Sequence, residues 1–313
     1  MAAFVLPFEK PYVELAELVR KLRAEAADSP ELHEVEAQMA RVAKEIFAAL
    51  TPMQKVQVSR HANRPYTLDY IRRLITNWVE LKGDRRFADD AAVVSGLGTY
   101  HGRSVVVVGH QKGRGTKENM KRNFGMPHPE GYRKAIRMYE MADRFGLPVL
   151  TFIDTPGAYP GIGAEERGQS EAIGAALAAM ARVRVPILAT VIGEGGSGGA
   201  LALGVANRVL VLEFGCYSVI SPEGCAAILW NDGSRAEEAA NRLRVTAPDL
   251  LELGVVDAIV EEPVGGAHQD HDEAARKLDA VLFPMLESLE ALSPDELAED
   301  RYQRFRALGP FKS

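Results

Sequence analysis

From about residue 129 onward the chain alternates helical segments with short, uninterrupted apolar runs, and this alternation restricts its fold more than any other feature. The runs at 148–153, 186–192 and 209–212 contain no charged residue, so each reads as a strand of a sheet covered on both faces. Helical segments at 131–145, 165–181 and, briefly, 198–205 separate them. Strand–helix alternation of this kind predicts an α/β fold with parallel strands and right-handed crossovers. Upstream, 92–100 and 104–110 read as a hairpin around His101, Gly102 and Arg103. A helix is expected from 67 to about Trp78, and later helices at 222–230, 235–243, 247–253 and 272–289.

The first fifty residues carry a different pattern. Leu15, Leu18, Val19 and Leu22 share one helical face, Asp28, Ser29 and Pro30 break it, and Leu32, Val35, Met39, Val42, Ile46 and Leu50 resume it. Two amphipathic helices follow from this spacing, forming an arm that lies either on the chain's own body or against a partner.

With 37 Lys+Arg against 43 Asp+Glu, the net charge of −6 argues against a nucleic-acid-binding role. No apolar run reaches the ~20 residues of a membrane span, and the N-terminal stretch lacks the pattern of a signal peptide. Cys216 and Cys225 fit no zinc or redox spacing and read as buried thiols of a reducing cytosol. The expected location is cytoplasmic, with no membrane and no nucleic acid among the partners.

Three short motifs suggest chemistry that their surroundings do not support. DTPG at 154–157 has the form of a GTPase DxxG, but no window matches the phosphate loop that reading requires. GEGGSG at 193–198 matches GxGxxG, with Glu213 placed like a ribose-binding acid, yet 199–207 leaves barely two turns of helix. Met120-Lys121 is followed by Arg122, which breaks the biotin-attachment pattern, so no covalent biotin is expected on this chain.

The glycines of 193–199 suit a backbone that approaches a ligand closely. A helix starting there offers free N–H groups to an anion, or to an oxygen that becomes anionic during reaction. Close packing alone is the competing reading. DTPGAYPG at 154–161 forms a second strand-end loop, and HQKG at 110–113 offers a third wall. No Ser/His/Asp set, metal cluster or paired carboxylates stands out, so the expected site is built from backbone donors.

Taken together and in order, RPYTLDY at 64–70, GHQKGR at 109–114, NFGMP at 123–127, PEGYR at 129–133, FIDTPGAYPG at 152–161, GAEERGQSEA at 163–172, GEGGSGGAL at 193–201, YSVISPEGC at 217–225 and GGAH at 265–268 resemble the acetyl-CoA carboxylase carboxyltransferase alpha family. The resemblance implies a crotonase-like (ClpP/crotonase) β-α superhelix with an N-terminal helical arm at 1–34, a carboxyltransferase domain at 35–292 and a helical tail at 293–313. It implies a transferase working as an α2β2 assembly. The beta subunit would carry zinc and bind acetyl-CoA, and a biotin carboxyl carrier protein would bring carboxybiotin. An ATP-dependent biotin carboxylase would charge the carrier, and the product would be malonyl-CoA for fatty acid biosynthesis. The oxyanion positions it implies are Gly198 and Gly199, with Ala200 shared. Gly157, Ala158, Gly195, Gly196, Lys112 and Gly113 would line the carboxybiotin site, and no metal is expected on this chain. A crotonase-like scaffold that only supports its partner is the non-enzymatic alternative.

Overall fold

The computed structural model describes residues 4–26 and 29–309. Asp28, in the expected break between the arm helices, and the last four residues of the expected tail lie outside them. The arm comprises α1 (Lys10–Glu25) and α2 (Pro30–Ala48). Ser29 caps α2 by accepting the Leu32 N–H at 3.1 Å. Then come α3 (Pro52–Ser59), α4 (Thr67–Leu74), β1 (Thr76–Glu80), β2 (Val93–Tyr100), β3 (Arg103–His110), α5 (Thr116–Lys121), α6 (Pro129–Phe145) and β4 (Val149–Thr155). The chain continues through α7 (Ile162–Glu166), α8 (Gln169–Arg182), β5 (Ile187–Gly196), α9 (Ser197–Leu201), β6 (Arg208–Leu212), β7 (Cys216–Ser218) and α10 (Pro222–Trp230). It closes with α11 (Ala236–Leu243), α12 (Ala247–Glu252), β8 (Ala258–Val260), α13 (His271–Glu290) and α14 (Pro294–Arg306).

The strands form one sheet in the order β1-β2-β3-β4-β5-β6-β8, with β7 added to the extension of β5. The β1–β2 and β2–β3 pairs are antiparallel, and the pairs from β3 through β8 are parallel. Helices cover both faces, as the uncharged strands require. Alternate residues of β3 divide between two cores: Val106 and Val108 meet Tyr132, Met138 and Met180, while Val105 and Val107 meet Tyr70, Ile71, Leu278 and Leu282. The fold is crotonase-like.

Several expected boundaries move. The helix expected to reach Trp78 ends at Leu74, and Thr76–Glu80 becomes an edge strand. The cause lies across the ladder: a Cβ on Gly96 would come 2.7 Å from the Trp78 ring, and one on Gly98 2.2 Å from Ile75, so these glycines open slots for Trp78 of β1 and for Ile75 just before it. The helix expected at 165–181 is two helices, divided where Gly168 takes φ +81°. β5 runs past Ile192 to Gly196 because β7 supplies partners for Glu194, Gly195 and Gly196. β7 and β8 have no counterpart in the sequence pattern; each is three residues long, too short for a two-residue period to show.

The arm packs on the chain's own body, with Tyr12, Phe47, Val58 and Phe214 in one small core. Position 34, the expected end of the arm, falls inside α2. Ser293 caps α14 by accepting the Glu296 N–H. That tail helix is anchored by Arg301, whose guanidinium donates to the carbonyls of Met180, Val183 and Val185 at 2.5–3.0 Å.

A buried clasp fastens the start of the arm. Glu9 Oε1 lies 3.0 Å from His268 Nε2, and its Oε2 accepts the Leu6 N–H at 2.9 Å. The rings of His61 and His268 stack at 3.9 Å. His61 Nδ1 accepts the Asn63 N–H at 3.2 Å, which leaves Nε2 to donate to Phe4 O at 3.1 Å. Burial, and then the neighbouring His268, push the His61 pKa down to about 4. Burial alone would raise Glu9, but the adjacent His268 ring and the Leu6 amide hold its carboxyl below the usual range.

Both shifts carry the same sign in acid. A depressed histidine leaves the folded chain with fewer bound protons than the unfolded chain between pH 6.5 and about 4, so stability falls as pH drops through that window. Glu9 extends the loss below its unfolded value of 4.5. Thermal denaturation should therefore show the midpoint falling from pH 6.5 to 4. His61→Gln, which keeps a donor for Phe4 without the titration, should flatten the upper part of that fall; an unchanged slope would remove His61 as its source.

Candidate active site

Three neighbouring strands, β3, β4 and β5, release their chains at the same edge, where open α/β sheets place ligands. The segment after β3 sends Lys112 inward, and its Nζ donates to Asp154 Oδ1 at 2.7 Å and Glu194 Oε1 at 2.8 Å. Asp154 also accepts the Glu194 N–H at 3.1 Å. Glu194 Oε2 receives Arg60 Nε at 2.9 Å, and Arg60 Nη1 reaches Glu223 at 2.8 Å. One cation thus joins the ends of β4 and β5.

Burial works on each group differently. It raises the Asp154 pKa, and the adjacent Glu194 charge raises it further against the pull of Lys112. Burial would also raise Glu194, but Lys112 and Arg60 together hold it below its usual value. The two carboxylates raise Lys112 well above an ordinary lysine despite its burial.

The loop after β4 then meets the start of α9. A Cβ on Gly196 would stand 2.1 Å from Pro156 O, and one on Gly199 2.7 Å from both Ala158 N and Gly157 C, with Tyr132 Oη at 3.0 Å. Gly157 itself takes φ +148°. Gly195 packs against the Tyr217 ring, 2.8 Å from its would-be Cβ. Gly198 differs: a Cβ there would meet Ile173 at an ordinary 3.4 Å. The N–H groups of Ser197, Gly198, Gly199 and Ala200 head a five-residue helix and lack partners within it. Ser197 enters that helix at φ +53°, an uncommon conformation for a serine.

The structure therefore brings Gly157, Ala158, Gly195, Gly196, Gly198, Gly199 and Ala200 together, with Lys112 beneath them. The Lys112 ammonium is engaged by carboxylates, and its side chain is only 13 % exposed. Gly113 faces α5 instead: its N–H donates to Asn119 Oδ1 at 3.0 Å, and a Cβ would strike the Glu118 backbone at 2.3 Å. Of the polar residues of this floor, Glu194 and Arg60 were not singled out from the sequence, and Asp154 stood out only as the first residue of a strand-end loop with a GTPase-like motif. A hint was available in polar residues at the inner ends of otherwise apolar strands, which must find partners when buried.

A cavity of about 430 Å³ opens beside α9, lined by Ser197, Gly198, Leu201, Tyr217, Val219 and Phe305. A larger one, about 770 Å³, lies between α1 and the loop after β8 and shares no residue with the glycine loops. The smaller cavity is the functional candidate because it alone of the two touches the free amides.

The misleading motifs now have physical roles. Gly193 and Gly195 belong to β5, and Glu213 accepts the Glu262 N–H at 3.0 Å, so the dinucleotide reading lacks both its turn and its free acid. Asp154 of the DxxG-like motif is the lysine's partner. Glu9, His61 and His268, whose candidate donor atoms lie within 4.8 Å of one another, have the composition of a metal site that widely separated positions hid in the sequence. Both His61 nitrogens already serve Phe4 and Asn63, and the group reads as the hydrogen-bonded clasp of the arm.

The architecture is shared with carboxyltransferases and their relatives. The beta subunit of geranyl-CoA carboxylase from P. aeruginosa aligns over 93 % of this chain and 56 % of its own length, with a TM-score of 0.58 and 17 % identity. A chain of the transcarboxylase 12S structure aligns over 70 % of this chain and 42 % of its own, with a TM-score of 0.55 and 21 % identity. This chain thus spans about half the length of those two chains or less. A chain of a Pseudomonas malonate decarboxylase hetero-tetramer in complex with coenzyme A aligns over 71 % and 89 %, with a TM-score of 0.57 and 19 % identity. Likeness at this level establishes the fold class.

Sequence similarity goes further. The acetyl co-enzyme A carboxylase carboxyltransferase-like family model matches residues 5–309. The acetyl-coenzyme A carboxylase carboxyl transferase subunit alpha of Sorangium cellulosum is 78 % identical over 99 % of both chains. A subunit of that name from Thermus thermophilus is 57 % identical over 98 % of both. The chain belongs to the acetyl-CoA carboxylase carboxyltransferase alpha-subunit family and is a transferase subunit.

Removing the central ammonium leaves two buried carboxylates facing each other, and breaking one side of a buried pair typically costs about 3–5 kcal/mol. Lys112→Met should lower the unfolding free energy by about that much. Adding Asp154→Asn should recover part of the loss, because one stranded charge is gone. Equal stability of Lys112→Met and wild type in denaturant titration would contradict the role given to this cluster.

Proposed function

We propose that this chain is the donor-side half of an acetyl-CoA carboxylase carboxyltransferase. With a beta subunit it transfers the carboxyl group of carboxybiotin, borne by a biotin carboxyl carrier protein, to acetyl-CoA. The product, malonyl-CoA, feeds fatty acid biosynthesis. The assembly is α2β2 and cytoplasmic, zinc belongs to the beta subunit, and ATP is used by the biotin carboxylase that charges the carrier. No cofactor is bound covalently by this chain, and among its described residues no helix is long and apolar enough to cross a membrane. The arm at 1–34, body at 35–292 and tail at 293–313 are kept as its working division.

The observation that carries this reading is the set of free amides at α9 beside a cavity with a largely apolar wall. Loss of CO2 from carboxybiotin places negative charge on the ureido oxygen, and preorganised amide donors favour that charge. The roles of Gly198 and Gly199, with Ala200 shared, are to present those donors. Gly157, Ala158, Gly195 and Gly196 let the two loops approach closely enough to build the rim, and Lys112 and Gly113 hold the third loop in place. A scaffold-only reading draws support from the tight packing at Gly196 and Gly199, which would require glycine whatever the chemistry.

Gly198 separates the two, since it has room for a side chain. Gly198→Val should assemble with the beta subunit and keep its thermal midpoint. Its kcat for decarboxylating malonyl-CoA onto biocytin should fall about a hundredfold, the scale of one lost oxyanion donor. An assembled Gly198→Val enzyme with wild-type kcat would leave the scaffold reading standing. Negligible turnover by the isolated chain is part of the same expectation.

A further inference from the structure

His110 ends β3 directly beneath α9, and it is completely buried. Its backbone carbonyl accepts the Thr67 hydroxyl, which fixes the residue against α4. The ring lies between two elements of the site. On one side the Asp154 N–H donates to Nδ1, a long contact of 3.4 Å. On the other, the ring faces the backbone of Gly199. Its Nε2 is left without a hydrogen-bond partner among the described residues. Tyr132, whose hydroxyl is also buried without a partner, packs on the same glycine.

The helix leaves a matching gap in its own bonding. In a longer α-helix the Leu203 N–H would reach the Gly199 carbonyl, four residues back. Here Leu203 donates instead to Ala200 O at 3.1 Å, while Ala202 donates to Gly198 O at 3.0 Å. The Gly199 carbonyl is skipped by both. A buried carbonyl seeks a donor, and the imidazole beneath it has one to give once Nδ1 is occupied by the Asp154 amide.

We propose that His110 is a positioning residue for the amide donors of α9. Its neutral ring, carrying its hydrogen on Nε2, holds the Gly199 carbonyl. The N–H at the other end of that planar peptide is the N–H of Ala200, which is thereby turned toward the cavity side and polarised. The inference rests on α9 being the donor-side oxyanion site. A charged ring would be wrong here: burial, and then the adjacent Lys112 ammonium, push the His110 pKa down to about 3.

The test uses the chain assembled with its beta subunit, with malonyl-CoA and biocytin as substrates. His110→Phe keeps the ring and removes both nitrogens. It should lower kcat about tenfold, the effect of one ordinary hydrogen bond, with KM for malonyl-CoA unchanged. His110→Gln can place a carboxamide nitrogen near the Nε2 position and should recover most of the loss. His110→Asn reaches only the Nδ1 position and should not. Equal activity of the Gln and Asn variants, or wild-type kcat in an assembled Phe variant, overturns the proposal. If the variants fail to assemble, nitrogen NMR of the histidine-labelled wild-type protein decides at neutral pH: a neutral ring protonated on Nε2 supports the proposal, and a proton on Nδ1 refutes it. Full activity of an assembled Gly198→Val would instead defeat the oxyanion reading itself, whereas loss in Gly198→Val with no loss in His110→Phe defeats this inference alone.

Discussion

The site depends on one buried ammonium. Lys112 binds Asp154 at the end of β4 and Glu194 inside the extension of β5, so one cation fixes the spacing of two neighbouring parallel strands where their hydrogen-bond ladder becomes irregular. The ladder pairs Ile153 with Val191 and then skips to Thr155 with Gly195. Through that irregularity the backbone alone does not set the distance between strands, and the ion cluster does. A buried pair of this kind adds little net stability compared with a well-packed apolar substitute, because desolvation offsets much of the attraction. What it contributes is a defined geometry at the place where the chain turns into α9.

A second buried pair secures the same strand one step earlier. Arg64 forks onto Glu262 at 2.7 and 2.8 Å, and the same guanidinium donates to the Ile192 carbonyl at 3.0 and 3.2 Å. Ile192 directly precedes the glycine stretch, and Glu262 follows β8 at the far side of the sheet. Glu262 also accepts the Phe214 N–H and the Ala267 N–H. The segment leading into the site is thus held from α4's approach, from the β6–β7 turn and from the loop that carries His268. This is how residues two hundred positions apart come to govern five glycines.

The central fold was legible because its signals are local. The strands at 148–153, 186–192 and 209–212 declare themselves by uninterrupted apolar residues, and the His101-Gly102 turn by two positions that both take positive φ. Edge strand β1 was not legible, since it depends on the room that Gly96 and Gly98 of the next strand leave for Trp78 and Ile75. The extension of β5 escapes a sequence reading for a related reason: glycines signal a loop, and only the presence of β7 converts them to strand. At the site, the glycine loops could be read as backbone built for close approach, whereas the lysine, its two carboxylates and His110 could not be joined from spacing alone. Their contacts span 40 to 82 positions of sequence. Resemblance to a family supplied the order of the motifs, but the physical reason for Gly196 and Gly199 emerged only with the opposing Pro156–Ala158 backbone.

The division of labour between side chain and backbone follows from these contacts. The carboxylates beneath the glycine loops are engaged: Asp154 and Glu194 by Lys112, and Glu194 again by Arg60. Each is buried, and each would have to break its contact before it could trade a proton with a ligand. A side-chain acid or base recruited from this set would therefore act against the interactions that shape the site. Backbone N–H groups carry no such conflict, because they neither titrate nor move when charge appears beside them. The arrangement suits a reaction in which the enzyme must stabilise a developing negative charge without itself exchanging a proton. The ionisable groups buried under this surface of glycine have a structural part: they hold together the strand ends that carry the loops.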